Sequence, residues 1–261
     1  MNEAEASYNQ AIALKPDYAE AYNNLGSTLT RLDRLNEAEA SYNKAIALKP
    51  DFVEAYFNLG VALQGLGRVN EAESNYQQAI AVKPDYAEAH NNLGNTLEAL
   101  GRLNEAETSY KKAIALSPDY SEAHINLGNT LKLLGRLNEA ESSYNQAIVL
   151  APSSADAHYN LGLILQGLGR VNEAESTYSQ AIRLKPDFAE AYRQVSMIKK
   201  LDSQDERFLK MLDLHHDNVL SDEQRCHINF GLAKVYEDLE NFERAFTHYV
   251  EGNELRKTLL R

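Results

Sequence analysis

Tryptophan is absent from this 261-residue chain, and cysteine occurs once, at Cys226. A single thiol excludes an internal disulfide framework and a cysteine zinc cage. Basic side chains are also scarce: 26 Lys and Arg face 38 Asp and Glu, a net charge of −12. That balance argues against a non-specific nucleic-acid binder or a protein of anionic membranes, both of which need a basic surface to collect phosphates. No stretch approaches the roughly 18 uninterrupted apolar residues of a membrane-spanning helix. Met1 is followed by Asn2 and Glu3, not by the basic and then apolar segment of a secretory signal, so a cytoplasmic location is expected. What is present is 44% hydrophobic residues, enough to build a sizeable core.

Proline is sparse too, and its placement organises the chain. The six prolines are Pro16, Pro50, Pro84, Pro118, Pro152 and Pro186, each 34 residues from the next. The same shift superposes Tyr42, Tyr76, Tyr110, Tyr144 and Tyr178, then Ala45, Ala79, Ala113, Ala147 and Ala181, then Gly26, Gly60, Gly94, Gly128 and Gly162. A fixed period of this length, without insertion or loss, is the signature of a repeat array.

Within each period two helix starts are expected. Asp-x-x-Glu after the proline, as in Asp17 to Glu20 and Asp85 to Glu88, has the form of a capping box. Asn-x-x-Glu, as in Asn36 to Glu39 and Asn104 to Glu107, gives a second, preceded by Gly-Arg or Asp-Arg as a tight turn. Each unit therefore reads as a helical hairpin that must stack on its neighbours to bury its apolar face. With position 1 at residue 19, positions 3, 4, 7, 8, 10, 11 and 14 share one arc of the first helix and form the core. Positions 2, 5, 6, 9, 12 and 13 occupy the opposite arc.

Leu25-Gly26, Ala38, Tyr42, Ala45 and Pro50, with their counterparts every 34 residues, resemble the tetratricopeptide repeat pattern: Leu-Gly at 7 and 8, Ala at 20, an aromatic at 24, Ala at 27 and Pro at 32. Position 4 departs from the family's Trp, being Tyr or His, and position 11 is Leu where the family often has Tyr. The resemblance implies an all-α fold, a right-handed α-solenoid superhelix of antiparallel hairpins. It sets out residues 1–18 as the second helix of a truncated repeat, five repeats at 19–52, 53–86, 87–120, 121–154 and 155–188, a degenerate sixth helical pair at 189–220, and a divergent hairpin at 221–261.

Position 6 is the most regular polar site: Asn24, Asn58, Asn92, Asn126 and Asn160, continued by Gln194. The resemblance implies that first helices line a concave groove, where an asparagine ladder can donate to a peptide carbonyl and accept from a peptide N–H at once. The repeats of O-linked N-acetylglucosamine transferases hold extended polypeptide in this way, although Asn at position 6 also occurs in repeats with other tasks. Asn95 and Asn129 enrich the third and fourth repeats, and together these eight amides are the expected peptide-binding residues. At about 1 kcal/mol per neutral hydrogen bond, five such contacts give only millimolar-grade binding, so neighbouring pockets must contribute. The acidic row at position 2, Glu20, Glu54, Glu88, Glu122, Asp156 and Glu190, is explained by helix starts and the helix dipole. Only Arg31 and Lys132 bring cations to that arc, which does not make a two-cation carboxylate clamp.

No catalytic motif emerges. Gly65-Leu66-Gly67-Arg68 and Gly167-Leu168-Gly169-Arg170 contain G-x-G, but between helices they read as turns. His90, His124 and His158 share position 4 with Tyr22, Tyr56 and Tyr192, which indicates packing, with a pH-sensitive stack as the alternative. Asp213, His215, His216, Asp217, Cys226 and His227 have metal-ligand chemistry but no ligand spacing, so neither a metal nor a cofactor is expected.

The ends raise a different possibility. An array that opens on a second helix looks cut from a longer chain. Residues 230–257 resemble the junction at which bacterial repeats of this kind precede a sulfotransferase-like domain. The expected function is a non-catalytic scaffold whose partner is a protein or peptide. The alternatives are the substrate-recognition arm of a sulfotransferase or of an O-GlcNAc-transferase-like enzyme, and homo-association through the truncated ends.

Overall fold

The computed structural model describes residues 2–216 and 220–260, with only the backbone of Asn2; Asp217, singled out above for its chemistry, lies outside them. The described residues are all-helical, and the chain divides into two compact units, Met1–Gly135 and Arg136–Arg261.

The first unit contains α1 (Asn2–Leu14), α2 (Ala19–Arg31), α3 (Leu35–Leu48), α4 (Val53–Gly65), α5 (Val69–Val82), α6 (Ala87–Ala99), α7 (Leu103–Leu116) and α8 (Ser121–Leu133). The pairs α2–α3, α4–α5 and α6–α7 are hairpins, and each second helix packs on the first helix of the next repeat. Helix α1 lies against α2, as a second helix would.

The second unit contains α9 (Leu137–Leu150), α10 (Ala155–Gly167), α11 (Val171–Leu184), α12 (Ala189–Ile198), α13 (Glu206–His216), α14 (Asp222–Asp238) and α15 (Phe242–Leu259). Here α10–α11 is a hairpin and α12 follows on α11. The main neighbour of α12 beyond that is α14, while α13 packs chiefly on α14 rather than folding back along α12. Helices α14 and α15 form the closing hairpin, started by a capping box between Ser221 and Gln224.

The core follows the repeated small and aromatic positions. Tyr42, Tyr76, Tyr110, Tyr144 and Tyr178 are almost fully buried, with the alanines at positions 3, 20 and 27 beside them. The position-8 glycine lets the two helices of a hairpin approach: a Cβ on Gly94 would lie 2.5 Å from the Tyr110 ring. The turn within a hairpin is made by backbone. Arg68 N–H donates to the Leu63 carbonyl and Gly67 N–H to Gln64, both at 2.9 Å, with Gly67 at φ +73° in the left-handed region. Asp33 fills that place in the first repeat, at φ 59°.

The expected capping boxes do not form at the repeated helix starts. First helices begin one residue after Tyr18, Phe52, Tyr86, Tyr120 or Phe188, with no side-chain cap; Ser154 alone among these starts accepts from a helix N–H. The second helices begin after Arg34, Arg68, Arg102, Arg136 and Arg170. Asn36 is thereby inside α3, where it cannot act as a cap. Its supposed partner Glu39 instead reaches the next repeat: Arg68 donates to Glu39 at 2.6 Å and to its own helix's Glu71 at 2.6 Å. Arg34 holds Glu5 and Glu37 in the same way, Arg102 holds Glu73 and Glu105, and Arg170 holds Glu141 and Glu173. Arg207 closes the series with Glu175 and Asp205.

Candidate functional site

Position 6 places Asn24, Asn58, Asn92 and Asn126 on α2, α4, α6 and α8 of the first unit, and Asn160 and Gln194 on α10 and α12 of the second. Asn24 is exposed and the others are half-buried, as are Asn95 and Asn129. None of these side chains is sequestered in the core, yet most are already engaged within the chain.

The residue before the ladder decides how. Position 5, expected on the solvent arc, carries buried asparagines in alternate repeats: Asn23 is 8% exposed and Asn91 is fully buried. Asn58 Nδ2 donates to Asn23 Oδ1 at 3.1 Å, and Asn126 Nδ2 donates to Asn91 Oδ1 at 3.1 Å. Each bond joins one repeat to the next and satisfies a buried amide. Where position 5 is aromatic, the contact is a ring cluster: Phe57 lies 5.8 Å from Tyr76 and 5.0 Å from Tyr86, and Tyr159 lies 5.8 Å from Tyr178 and 4.9 Å from Phe188. Burial pushes the Tyr76 and Tyr159 hydroxyls up, and their side-chain contacts with Asn92 and Gln194, respectively, oppose that shift. Asn95 Oδ1 accepts from Tyr110 at 2.7 Å, and Asn129 is not without a partner.

An amide has two donors and two acceptor lone pairs, so these contacts leave capacity. Asn58 and Asn126 keep their carbonyl oxygens, and Asn95 keeps its NH₂. Asn160 has no hydrogen bond among the described residues, and Asn24 has only a marginal 3.5 Å contact from Asn23. Asn24 and Asn160 are thus the least engaged of these amides, while Asn58, Asn95 and Asn126 are held in orientation by the repeat interior.

Position 12 was not anticipated as part of this system. Tyr76 donates to Gln64 at 2.5 Å and Tyr178 to Gln166 at 2.8 Å, while Tyr42 and Thr30 hydroxyls are 3.1 Å apart. Gln64 Nε2 continues to Thr96 at 2.9 Å in the next repeat. A buried tyrosine requires a partner for its hydroxyl, which is the one signal in the sequence that could have exposed this row.

Several position-4 side chains reach a proline carbonyl. His90 Nε2 lies 3.0 Å from Pro84 O, His158 Nε2 3.1 Å from Pro152 O, and Tyr192 donates to Pro186 O at 3.2 Å. Burial pushes the His124 imidazole down, against a contact with the Pro118 carbonyl that raises it. In the acidic row, Glu20 is held below the usual carboxylate range by a backbone N–H and by Lys49, 3.3 Å away. Lys132 is half-buried and pushed down by that burial, with Glu98 opposing the shift. Of the sequence-selected metal-type residues, Cys226 is buried and donates to the Gly252 carbonyl, His227 meets Arg193, and Asp213 is exposed.

Cavities of about 650 and 460 Å³ lie away from the ladder, the first against Tyr192 and Arg207, the second against His90 and Leu93. No helix among the described residues is long and apolar enough to cross a membrane.

Comparison with known families gives matches described as tetratricopeptide or TPR repeat over residues 1–33, 27–67, 57–121, 109–142, 128–169 and 155–188. Comparison with curated protein sequences gave no match. Among solved structures, YrrB, described as a TPR protein with an unusual peptide-binding site, is 26% identical with a TM-score of 0.60, covering 72% of this chain and 96% of its own. TTC0263 from Thermus thermophilus, described as a thermophilic TPR protein, is 26% identical with a TM-score of 0.55, covering 69% and 98%. PilF of Pseudomonas aeruginosa, at 18% identity and a TM-score of 0.66 over 86% and 96%, shows the shared fold. The 34-residue period, the helical hairpins and these matches agree: the chain belongs to the tetratricopeptide repeat family.

Proposed function

We propose that this protein is a non-catalytic interaction scaffold that takes an extended peptide along the amide rows of its first helices. The observation that carries this reading is the state of those amides. Asn160 has no side-chain hydrogen bond among the described residues and Asn24 only a marginal one, while Asn58, Asn95 and Asn126 are oriented by the repeats and keep a donor or an acceptor. Orienting a polar group before binding lowers the entropy cost of using it, so a fixed row binds better than the same amides on mobile side chains. The peptide-binding site named for YrrB lends analogy from a protein of the same fold.

The test starts with the whole chain and a displayed library of unstructured peptides, followed by titration of a selected peptide. Replacing Asn24 and Asn160 together by Ala removes two contacts of about 1 kcal/mol each, so the affinity falls at least about tenfold while the melting temperature holds. Failure to select any peptide, or equal affinity for the double variant, contradicts the reading.

A further inference from the structure

Three side chains that are far apart in sequence converge in the second unit: His215 at the end of α13, and His248 and Glu251 one turn apart on α15. One ring nitrogen of each histidine and a carboxylate oxygen of Glu251 all lie within 4.8 Å of one another. His215 Nε2 is 3.1 Å from Glu251 Oε2. We infer that this cluster is a binding site for a divalent transition-metal cation of the zinc type.

The donor set supports it. Two imidazoles and one carboxylate are ligands of borderline metals such as Zn²⁺, and catalytic and regulatory zinc sites commonly have three protein ligands with water in the fourth position. With metal–ligand bonds of about 2.0–2.1 Å, the ligand atoms of a tetrahedron stand roughly 3.3 Å apart. The His215–Glu251 pair is already at that separation, and rotation of the less constrained His215 and Glu251 side chains toward His248 closes the remainder.

The surroundings fix His248 more firmly than packing requires. Its Nδ1 lies 2.8 Å from Asn229 Oδ1, while Asn229 Nδ2 donates to the Arg225 carbonyl at 3.1 Å. That second bond orients the Asn229 amide with its oxygen toward the ring, so Nδ1 carries the proton and Nε2 keeps the lone pair that a metal needs. An oriented hydrogen-bond partner on the far ring nitrogen is the usual support of a metal-binding histidine. Tyr236 stacks on the same ring with planes 6° apart, and Arg244 is held on Tyr236 by a hydrogen bond to its hydroxyl. A cavity of about 610 Å³, lined by His215, Asn229, Glu251 and Glu254, gives an ion access from solvent. Arg225 also lines it.

The experiment uses the full chain stripped of metal by a chelator, titrated with Zn²⁺ by calorimetry and with Co²⁺ by visible absorption. One equivalent of Zn²⁺ binds, and Co²⁺ gives the intense visible bands of a four-coordinate site. Glu251→Gln keeps the size of a partly exposed side chain, and His215→Gln provides a second variant should the first perturb folding. Each lowers the affinity at least about tenfold and removes the Co²⁺ bands, whereas His158→Gln, a histidine outside the cluster, leaves both unchanged. Absence of saturable Zn²⁺ binding, or binding unaltered in Glu251→Gln and His215→Gln, overturns the site.

Discussion

Gly94 has no room for a side chain: the Tyr110 ring occupies the space 2.5 Å from where a Cβ would sit. Gly94→Ala must displace a ring buried between two helices, and overpacking of this kind costs about 1–3 kcal/mol; urea unfolding of the variant measures it. The asparagines divide differently. Asn126→Ala strips the donor from Asn91 Oδ1, which is buried, so stability falls by about 1–3 kcal/mol. Asn24→Ala removes no such contact and leaves the unfolding midpoint in place. Equal effects of the two substitutions would show that the Asn91–Asn126 bond does not carry the difference. These residues also mark what sequence could and could not disclose. The core at positions 3, 7, 8, 11, 20, 24 and 27 was legible, because burial repeats with helical periodicity and leaves small or aromatic residues in register. The roles of Asn23 and Asn91 were not. Their burial depends on the rotation between successive hairpins, which places position 5 of one repeat under position 6 of the next, and a helical wheel for one helix contains no such term.

Among the elements, the second helices are joined by charge. Arg34, Arg68, Arg102 and Arg170 each grip a glutamate on their own helix and one on the preceding second helix, 29 residues back. Sequence patterning found the right glutamates and gave them the wrong task. Asn-x-x-Glu has the form of a capping box, but the helix already starts at the arginine, so its glutamate lies two residues past the position from which a capping box reaches back. The clusters are solvent-exposed, so each contributes modestly and is weakened by salt. Their pH dependence has a definite sign. Arg34, Arg68, Arg102 and Arg170 hold Glu37, Glu71, Glu105 and Glu173 below the ordinary carboxylate value of 4.5. In the unfolded chain these groups protonate first. The stability they give is therefore present above about pH 4.5 and is lost as pH falls below it through the folded values. Melting temperatures followed from neutral to acid pH should drop in that range, and molar NaCl should shrink the drop by screening. A profile flat into acid would remove the clusters from the account.

For the whole molecule, these contacts change the meaning of the −12 charge. An arginine with two glutamates carries net −1, and the pattern recurs along the array, so much of the acidic excess belongs to joints between repeats rather than to recognition of a basic partner. On the reading proposed above, recognition falls to the amide row, and a row of amides would read peptide backbone. That is the central claim, and one measurement reaches it directly: calorimetric titration of the selected peptide in three forms, native, side-chain-scrambled and N-methylated at alternate backbone amides. The account predicts that scrambling changes the affinity little, while N-methylation, which removes the peptide donors that the Asn58 and Asn126 carbonyls would accept, weakens it at least about tenfold. Binding that survives N-methylation but is lost on scrambling would contradict it.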